Sequence, residues 1–492
     1  MATEEIVDLA AHRGKRGRGR GRRASEEDAP TDLDRACARL PRNDYGNGQR
    51  LLRRFPGRLM FVPEIGWHGW DGRRWSVDDG ERLAQLLAQE TALAMAGEVQ
   101  AAEDDGADED EVAAWRRFAA SCGNSNRLAN MLQEAKPHCT VQREDLNADP
   151  WLLTVANGTL DLRTRELRPH DPEDRITLAS PVVFDDAAAA PRWAAFLERV
   201  QPDAEIREFL RRAGGYMSIG ELREHVLIFF YGAGRNGKSV WVDTVAAVLG
   251  DYSASLPIAS LLHNDRARGS EATPDIARLP WRRMVRTSEP QVGARFDESI
   301  IKLWTGGEPV AARHLNKGFF EFAPVFKLVV SGNHRPTVKG QDWGIWSRLK
   351  LLGWPVTIPD DEIDPDLPRK LQAEASGVLN WLLDGVSDYL EYGLAVPASV
   401  AAATAEYKAE QDPIGRFIEE ALVVDPGRMI AAQTLYRCYE TWCKADGREP
   451  TTMTMFGRVL GDHHLRKEKK SGTMTYMDVR VASEFWPDGY FG

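Results

Sequence analysis

The segment Gly232-Ala233-Gly234-Arg235-Asn236-Gly237-Lys238-Ser239 decides the fold, because it stands between a strand-like run and a helix-like run. Residues 226–231 are continuously apolar, which is typical of a buried parallel strand. Residues 240–249 have the composition of a helix, and Gly250 follows where a C-terminal cap is expected. This order of strand, glycine-rich loop, Lys-Ser pair and helix predicts a loop that binds nucleotide phosphates.

The loop residues supply the two kinds of contact that phosphates need. Glycines allow backbone N–H groups to converge on the phosphates, which also lie at the positive end of the helix dipole. Lys238 is expected to reach the β- and γ-phosphates, and the Ser239 hydroxyl is expected to ligate Mg²⁺. The residues expected to bind the nucleotide are Gly232, Ala233, Gly234, Arg235, Asn236, Gly237, Lys238, Ser239 and Val240.

The bulk composition is that of a globular protein with several domains. A chain of 492 residues is too long for one compact core and should divide into about two to four domains. The sequence shows neither a signal peptide nor an apolar run as long as a membrane span, so we expect no membrane partner. The five cysteines include no CxxC pair and no histidine at zinc spacing, which favours reduced thiols in a cytoplasmic protein. Because the formal net charge is −11, nucleic-acid binding has to be argued from local basic clusters.

Four regions are predicted along the chain. Residues 1–30 form a Gly/Arg-rich arm that is expected to be disordered, and that either holds polyanions loosely or is a solvated tail. Residues 31–200 mix helical and hairpin patterns and predict an α+β domain, with an exposed acidic loop at 103–111. Residues 201–410 alternate strand and helix patterns, as in an α/β fold with a helical lid. Residues 411–492 predict three helices and a β-ribbon, the order of a winged helix-turn-helix.

Two polar residues follow later strand-like runs in the α/β region. Residues 281–289 end in Glu289, a carboxylate that could orient the attacking water or hold Mg²⁺. Residues 326–333 end in Asn333, an amide that could contact the γ-phosphate. Each is unremarkable alone, since Glu289 could be a surface residue and Asn333 simply part of a turn. Their order and spacing after the phosphate loop indicate one site.

Arg348 lies fifteen positions after Asn333, among the apolar residues Trp346, Leu349 and Leu351. An arginine there could complete the site of a neighbouring subunit by stabilising charge in the transition state. The candidate catalytic residues are therefore Lys238, Glu289, Asn333 and Arg348, with Ser239 and Glu289 as candidate metal ligands.

Residues 227–359 resemble the superfamily 3 helicase domain of phage and plasmid primase-helicases, which are related to the poxvirus primase-helicase. The matching elements are 232–239 (motif A), 283–289 (motif B), 302–317 (the element between B and C), 327–333 with Pro336 (motif C), and Arg348 (the arginine finger). Residues from about 42 to 200 resemble the region that precedes the helicase in these proteins. Residues from about 412 resemble their C-terminal winged helix.

The resemblance implies an AAA+-like ring, expected to be a hexamer, with ATP bound between subunits. Lys238, Ser239, Glu289 and Asn333 would act in the subunit that holds the nucleotide, and Arg348 would come from its neighbour. The family also places a basic hairpin tip in the central channel, on single-stranded DNA. The candidate DNA-binding residues are Arg313, His314 and Lys317 in this hairpin, and Lys469 and Lys470 in the ribbon, where duplex DNA is expected. The alternative for the hairpin is a solvated loop.

Two departures from the family bear on function. Ser288 precedes Glu289 where many phosphate-loop ATPases carry a second carboxylate, so the group that holds Mg²⁺ beside Ser239 is left open. Relatives frequently carry a primase domain upstream, whereas the helicase-associated region starts here near residue 31. We therefore expect no primer synthesis by this chain, and a separate primase or other replication proteins as partners.

The leading interpretation is a ring-forming, ATP-driven DNA helicase that acts in the replication of a phage, plasmid or other mobile element. We expect it in the cytoplasm, which is that of a bacterial host if a phage or plasmid encodes it. The first alternative is a replication initiator that uses ATP to remodel origin DNA without processive unwinding. The second is an ATPase that moves protein or packages DNA, which only the shared fold supports.

Overall fold

The computed structural model describes residues 30–263, 273–313, 318–340, 343–470 and 472–487. All but the last residue of the predicted Gly/Arg-rich arm lies outside this described part. The chain divides into two compact units, one comprising residues up to 71 with 75–145, the other 72–74 with 146–492.

The first unit is helical with one small sheet. Its helices are Asp32–Ala38, Asp44–Arg54, Gly80–Asp104, Glu109–Cys122 and Ser125–Ala135, followed by 3₁₀ turns at Lys136–His138 and Arg143–Asp145. The strands Leu59–Val62, Gly66–Trp70 and Trp75–Ser76 form an antiparallel sheet. Inside the unit, the fully buried side chains of Arg50 and Glu98 form an ion pair of 2.7 Å.

The acidic stretch at residues 103–111 is largely exposed, as the sequence predicts, but only residues 105–108 form a loop between helices. The helix Gly80–Asp104 continues into it, and the next helix begins at Glu109. The Asp108 side chain accepts a hydrogen bond of 2.8 Å from the Glu111 backbone N–H and so caps that second helix. Because acidic side chains suit the first turn of a helix, the same charges that predict a loop here start a helix.

The second unit is built on a sheet of five parallel strands, which confirms the expected mixed α/β class. The strands are β1 (Leu227–Tyr231), β2 (Ser253–Leu256), β3 (Met284–Thr287), β4 (Lys327–Gly332) and β5 (Leu349–Gly353). Their order across the sheet is β5-β1-β4-β3-β2. The interior strand β1, between β5 and β4, is buried at Leu227, Ile228, Phe229 and Phe230, as its continuous apolar sequence predicts.

Helices and short elements surround this sheet. The helices are Pro191–Val200, Ala204–Ser218, Lys238–Leu249, Pro274–Ala277, Glu298–Gly306, Trp343–Trp346, Leu367–Gln372, Ala375–Tyr392 and Ala398–Glu410. The 3₁₀ turns are Pro172–Asp174, Gly250–Tyr252, Ile258–Leu261 and Asp360–Glu362. The strands Val310–Arg313 and Phe319–Phe322 pair as an antiparallel ribbon. A separate antiparallel sheet comprises Leu152–Val155, Gly158–Asp161 and Leu167–Arg168.

Residues 146–200 pack with the parallel sheet, although the sequence places the domain boundary near residue 200. Leu153, Leu160 and Trp193 share one hydrophobic core with Ile228 of β1 and with Trp241. The sequence pattern does not show this, because apolar residues of a hairpin look alike whether they fill their own core or a neighbouring one.

The C-terminal part contains the helices Pro413–Ala421, Ala432–Ala445 and Met453–Asp462, and a 3₁₀ turn at Ser483–Phe485. The strands Lys467–Lys470 and Thr473–Val481 form the expected ribbon, and a further strand, Leu422–Ala431, pairs with the second of them. The sequence does not predict that strand, because Asp425-Pro426-Gly427 interrupts its pattern with residues typical of a turn. In the structure, the pairing register shifts at this point, between Val424 and Met429. None of the helices in the described ranges has the length and apolar character needed to cross a membrane.

The helices Ala204–Ser218 and Ala375–Tyr392 of the second unit cross at glycines. A Cβ on Gly215 would lie 2.1 Å from the Gly385 carbonyl carbon, and a Cβ on Gly385 would lie 2.0 Å from the Arg211 carbonyl oxygen. The neighbouring atoms are backbone, so they cannot move aside as a flexible side chain could.

We expect Gly215→Ala to lower the free energy of unfolding by about 1–3 kcal/mol, because it overpacks this crossing. Chemical denaturation followed by circular dichroism measures the change. Gly461→Ala is the matched control, since a Cβ there meets no atom of the described chain within 4 Å. Equal stability of the two variants would show that the helices can separate at no cost.

Candidate active site

The carboxyl ends of β1, β3 and β4 lie at one edge of the parallel sheet, and a cleft opens there. Gly232 follows β1, Glu289 lies just past β3, and Asn333 follows β4. The cleft has a volume of about 640 Å³. Its lining residues are Gly234, Arg235, Asn236, Gly237, Lys238, Ser239, Val240, Val242, Asp243, Ser255, Arg286, Thr287, Ser288, Glu289, Ser331, Gly332 and Asn333.

The glycine-rich loop adopts backbone conformations that favour glycine. Gly234 and Gly237 have φ angles of +96° and +83°. A Cβ on Gly237 would also lie 2.8 Å from Val200 Cγ1 and 2.9 Å from Phe196 Cε2. Because Gly237 precedes the helix Lys238–Leu249 and has no side chain, it cannot cap the first backbone N–H groups of that helix. Those groups border the cleft at the positive end of the helix dipole.

Lys238 is a buried cation surrounded by neutral oxygens. Its side chain is 4 % exposed. Its Nζ donates hydrogen bonds to the Gly232 carbonyl oxygen (2.8 Å), to Asn236 Oδ1 (3.0 Å) and to Asn333 Oδ1 (3.1 Å). Burial lowers the pKa of Lys238, and the negative charge of Glu289 partly opposes that shift. An anion in the cleft would therefore find an incompletely neutralised positive charge.

Glu289 and Asn333 contact each other directly. The Asn333 backbone N–H donates to Glu289 Oε1 (2.8 Å), and its Nδ2 donates to Oε2 (3.4 Å). With the bond from Lys238 to Asn333, these contacts form a chain from Lys238 through Asn333 to Glu289. The structure thus brings three of the four candidate catalytic residues together.

The candidate metal ligands Ser239 and Glu289 both line this cleft. A hydroxyl and a carboxylate are hard oxygen donors of the kind that Mg²⁺ prefers, with phosphate oxygens and water as its other ligands. The described residues contain no group of three or more His, Cys, Asp or Glu side chains that could hold a metal by themselves. The donor set therefore suits a metal ion that arrives with a phosphate ligand.

An ion pair between Arg286 of β3 and Asp243 also lines the cleft, and the sequence analysis did not single it out. Asp243 follows Ser239 by one helical turn, so the two side chains share a helix face. Arg286 lies in a strand whose other residues, Met284, Val285 and Thr287, are buried. The sequence signal for this pair was Arg286 itself, a charged residue in a strand that is otherwise buried.

Arg348 is not among the residues that line this cleft. Its Nε donates to Thr305 Oγ1 (3.1 Å), and its guanidinium also donates to the Gly344 carbonyl oxygen. Its own backbone carbonyl accepts a bond of 2.9 Å from the Leu227 N–H. The fourth candidate therefore does not meet the other three within one chain.

The candidate DNA-binding residues lie in two places. Arg313 ends the strand Val310–Arg313, with its guanidinium 4.8 Å from the centre of the Phe319 ring. His314 and Lys317 lie outside the described residues. Lys469 and Lys470 are exposed on the strand Lys467–Lys470, and Lys470 Nζ lies 3.0 Å from Met429 Sδ.

Two family models match this chain. The model described as D5 N terminal like matches residues 48–202, and the model described as Poxvirus D5 protein-like matches residues 409–487.

Similar proteins come from large DNA viruses. A protein of Acanthamoeba polyphaga mimivirus named as a "Putative helicase" is 28 % identical over 61 % of this chain and 34 % of its own length. One of Frog virus 3 with the same name is 25 % identical over 64 % of this chain and 41 % of its own length. One of African swine fever virus named as a "Putative primase" is 23 % identical, over 60 % of this chain and 33 % of its own length. This chain thus spans about a third to two fifths of these relatives.

Among solved structures, the apo form of the NrS-1 C-terminal region aligns with 61 % of this chain and 78 % of that chain, at 14 % identity and a TM-score of 0.38.

Because this chain carries D5 N-terminal-like and poxvirus D5 protein-like domains, and resembles viral proteins named as helicases and primases, it fits the superfamily 3 primase-helicase type.

Proposed function

We propose that this chain is an ATP-dependent, ring-forming DNA helicase that acts in the replication of a phage, plasmid or other mobile element. The observation that carries the proposal is the hydrogen-bonded chain of Lys238, Asn333 and Glu289 at the mouth of the phosphate loop. It joins a phosphate-binding cation, a polar amide and a carboxylate in one cleft, which are the parts that phosphoryl transfer to water requires.

In the proposed complex, residues 232–240 hold ATP. The backbone N–H groups of the loop and of the first helical turn donate to the phosphates. Lys238 exchanges a neutral oxygen for a phosphate oxygen, so its buried charge gains a counter-charge. Ser239 and Glu289 would hold Mg²⁺, which when bound neutralises phosphate charge and orients the phosphoryl group.

For hydrolysis, we assign Glu289 to orienting and deprotonating the attacking water. Asn333 positions the Glu289 carboxylate through its backbone N–H, at 2.8 Å, and offers its amide to the γ-phosphate. Because both side chains are exposed to the cleft, water has access to them.

Arg348 supports the proposal of a ring. It lies outside the cleft of its own chain, and its guanidinium would have to give up its bonds to the Thr305 hydroxyl and to the Gly344 carbonyl oxygen. We assign it to the nucleotide site of the neighbouring subunit, where it stabilises transition-state charge. The resulting assembly is proposed to be a hexamer with an AAA+-like domain at residues 201–410.

DNA is proposed to bind at two places. Arg313, with His314 and Lys317, would contact the backbone of single-stranded DNA in the channel of the ring. Residues 411–492 would form a winged helix that binds duplex DNA, with Lys469 and Lys470 on phosphates. Three helices and a three-stranded antiparallel sheet support that assignment.

Lys238→Ala tests the proposed activity. We expect it to reduce ATP hydrolysis at least about a hundredfold and to abolish unwinding of a forked duplex. The variant lacks the cation that stabilises negative charge on the phosphates in the transition state. A coupled phosphate-release assay and a fluorescent fork measure the two effects. Lys444→Ala, an exposed lysine on the helix Ala432–Ala445, is the control and should behave as wild type. A wild-type protein that hydrolyses ATP but never separates the fork would favour the initiator alternative instead.

Complementation tests the assignment of Arg348. Arg348→Ala and Lys238→Ala should each be inactive alone, but an equal mixture should recover about a quarter of wild-type hydrolysis. A quarter of the interfaces in randomly mixed rings would pair an intact Lys238 with an intact Arg348. Thr305→Val, which removes only the hydroxyl that Arg348 contacts, should keep activity. No recovery on mixing, at concentrations where rings form, would place Arg348 in its own subunit's site or in a structural role.

A double variant tests the proposed duplex contacts. Lys469→Ala with Lys470→Ala should weaken duplex binding and make the slope of log affinity against log salt less negative by about 2, because two phosphate contacts are lost. Fluorescence anisotropy at several salt concentrations measures this. Lys444→Ala is again the control. An unchanged slope would remove both lysines from the DNA interface.

A further inference from the structure

The loop that follows Asn333 is held by a neighbouring helix end. Arg335 forms an ion pair of 2.8 Å with Glu410, in the last turn of the helix Ala398–Glu410. Its guanidinium lies 5.1 Å from the centre of the Tyr407 ring and 5.7 Å from that of Tyr231. Tyr231 ends β1, immediately before the phosphate loop. Arg335 therefore contacts both β1, which precedes the phosphate loop, and the helix Ala398–Glu410, the last helix before the C-terminal part.

Further bonds hold the same loop to the same turn. The buried Tyr407 hydroxyl donates to the Pro336 carbonyl oxygen. The Val338 N–H donates to Gln411 Oε1 at 3.4 Å. We call residues 333–338 the Asn333 loop and residues 407–412 the joint.

The other side of the joint is held by the C-terminal module, residues 413–487. Arg448 of that module donates to the Glu410 carbonyl oxygen at 3.3 Å. Asp412 caps the first helix of the module by accepting from the Gly415 N–H at 2.8 Å. The same carboxylate lies 3.0 Å from His463 Nε2, at the end of the module's third helix. Both the Asn333 loop and the C-terminal module thus hold the same short turn.

The Arg335–Glu410 pair has the properties of a contact that can open and close. The two side chains are 31 % and 41 % exposed, and ion pairs with that exposure contribute little to stability. The buried Tyr407 contact keeps the loop close to the joint whether or not the pair is formed. Loss of the pair should therefore leave the resting position of the loop unchanged, while removing the contact that passes movement between the loop and the joint.

We propose that the joint couples the nucleotide cleft to nucleic-acid binding by the C-terminal module, with Arg335 as the positioning residue. This inference rests on the proposed function, since it requires nucleotide in the cleft and DNA on the module. DNA on the module moves the joint, the Arg335–Glu410 pair transmits that movement to the Asn333 loop, and Asn333 shifts against Glu289 and Lys238. By thermodynamic reciprocity, nucleotide in the cleft changes the affinity of the module for DNA by the same factor.

Glu410→Gln in the full chain tests the coupling. The measurement is the affinity for a fluorescent, non-hydrolysable ATP analogue with and without saturating duplex DNA, together with hydrolysis under both conditions. We expect wild type to show a coupling factor of about 5 or more and the variant a factor within about twofold of 1. Basal hydrolysis without DNA should stay within about twofold of wild type, because Glu410 is not among the residues that line the cleft and the Tyr407 contact still holds the loop.

Two further variants sharpen the test. Glu406→Gln, an exposed carboxylate one turn earlier on the same helix, is the matched control and should keep the wild-type factor. Arg335→Glu should lose the coupling, and Arg335→Glu combined with Glu410→Arg should recover most of it by restoring the pair in reverse. A merely structural role would instead lower basal hydrolysis together with the coupling factor in the single variants.

Equal coupling factors in wild type and Glu410→Gln would overturn the inference. So would a wild-type protein that hydrolyses ATP and binds DNA with no effect of one on the other, and that result leaves the proposed ATPase standing. A wild-type protein that binds no nucleotide would overturn the proposed function, and this inference with it.

Discussion

The site depends on the parallel register between β1 and β4. Gly332 pairs with Tyr231, so the residues that follow both strands, Gly232 and Asn333, emerge side by side at the carboxyl edge of the sheet. This register brings the Asn333 amide within 3.1 Å of Lys238, although 95 residues separate the two in sequence. Because a slip by one residue would turn alternate side chains to the opposite face, the register fixes the cleft as strictly as the loop sequence does.

Two buried cations fix the amino ends of β3 and β4, opposite the cleft. Arg283, which precedes β3, donates to the carbonyl oxygens of Ser218 (2.6 Å) and Leu152 (2.5 Å). Lys327, the first residue of β4, donates to those of Ile219 and Val325. Burial lowers the pKa of both side chains, and for Lys327 the positive charge of Arg283 adds to the effect. The two strands that carry Glu289 and Asn333 at one end are therefore fixed at the other end by carbonyls from residues 146–220.

Local sequence was sufficient for the strand, the loop and the helix of the proposed phosphate site, because their determinants lie within about 25 consecutive residues. It was also sufficient to propose Glu289 and Asn333, since each ends a strand-like run. It could not give the pairing of Arg286 with Asp243, the placement of residues 146–200 in the second unit, or the contacts of Arg335. Each of these depends on long-range packing that leaves no period in the sequence. The assigned roles of the site residues and the ring itself remain predictions.

The electrostatics of the cleft also bear on the single carboxylate of motif B. Asp243 is paired with Arg286, and Arg235 is paired with Asp360, so the remaining charged residues that line the cleft are Lys238 and Glu289. A second carboxylate at Ser288 would add negative charge beside a triphosphate that is itself an anion, and would need the metal ion to compensate. In the proposed complex, the buried Lys238 would keep more of its attraction for phosphate beside a single carboxylate, and burial would strengthen that attraction because water screens it less. In the proposed ATP complex, a cleft of this composition would hold phosphate mainly through the protein and would leave the metal a smaller share of the neutralisation.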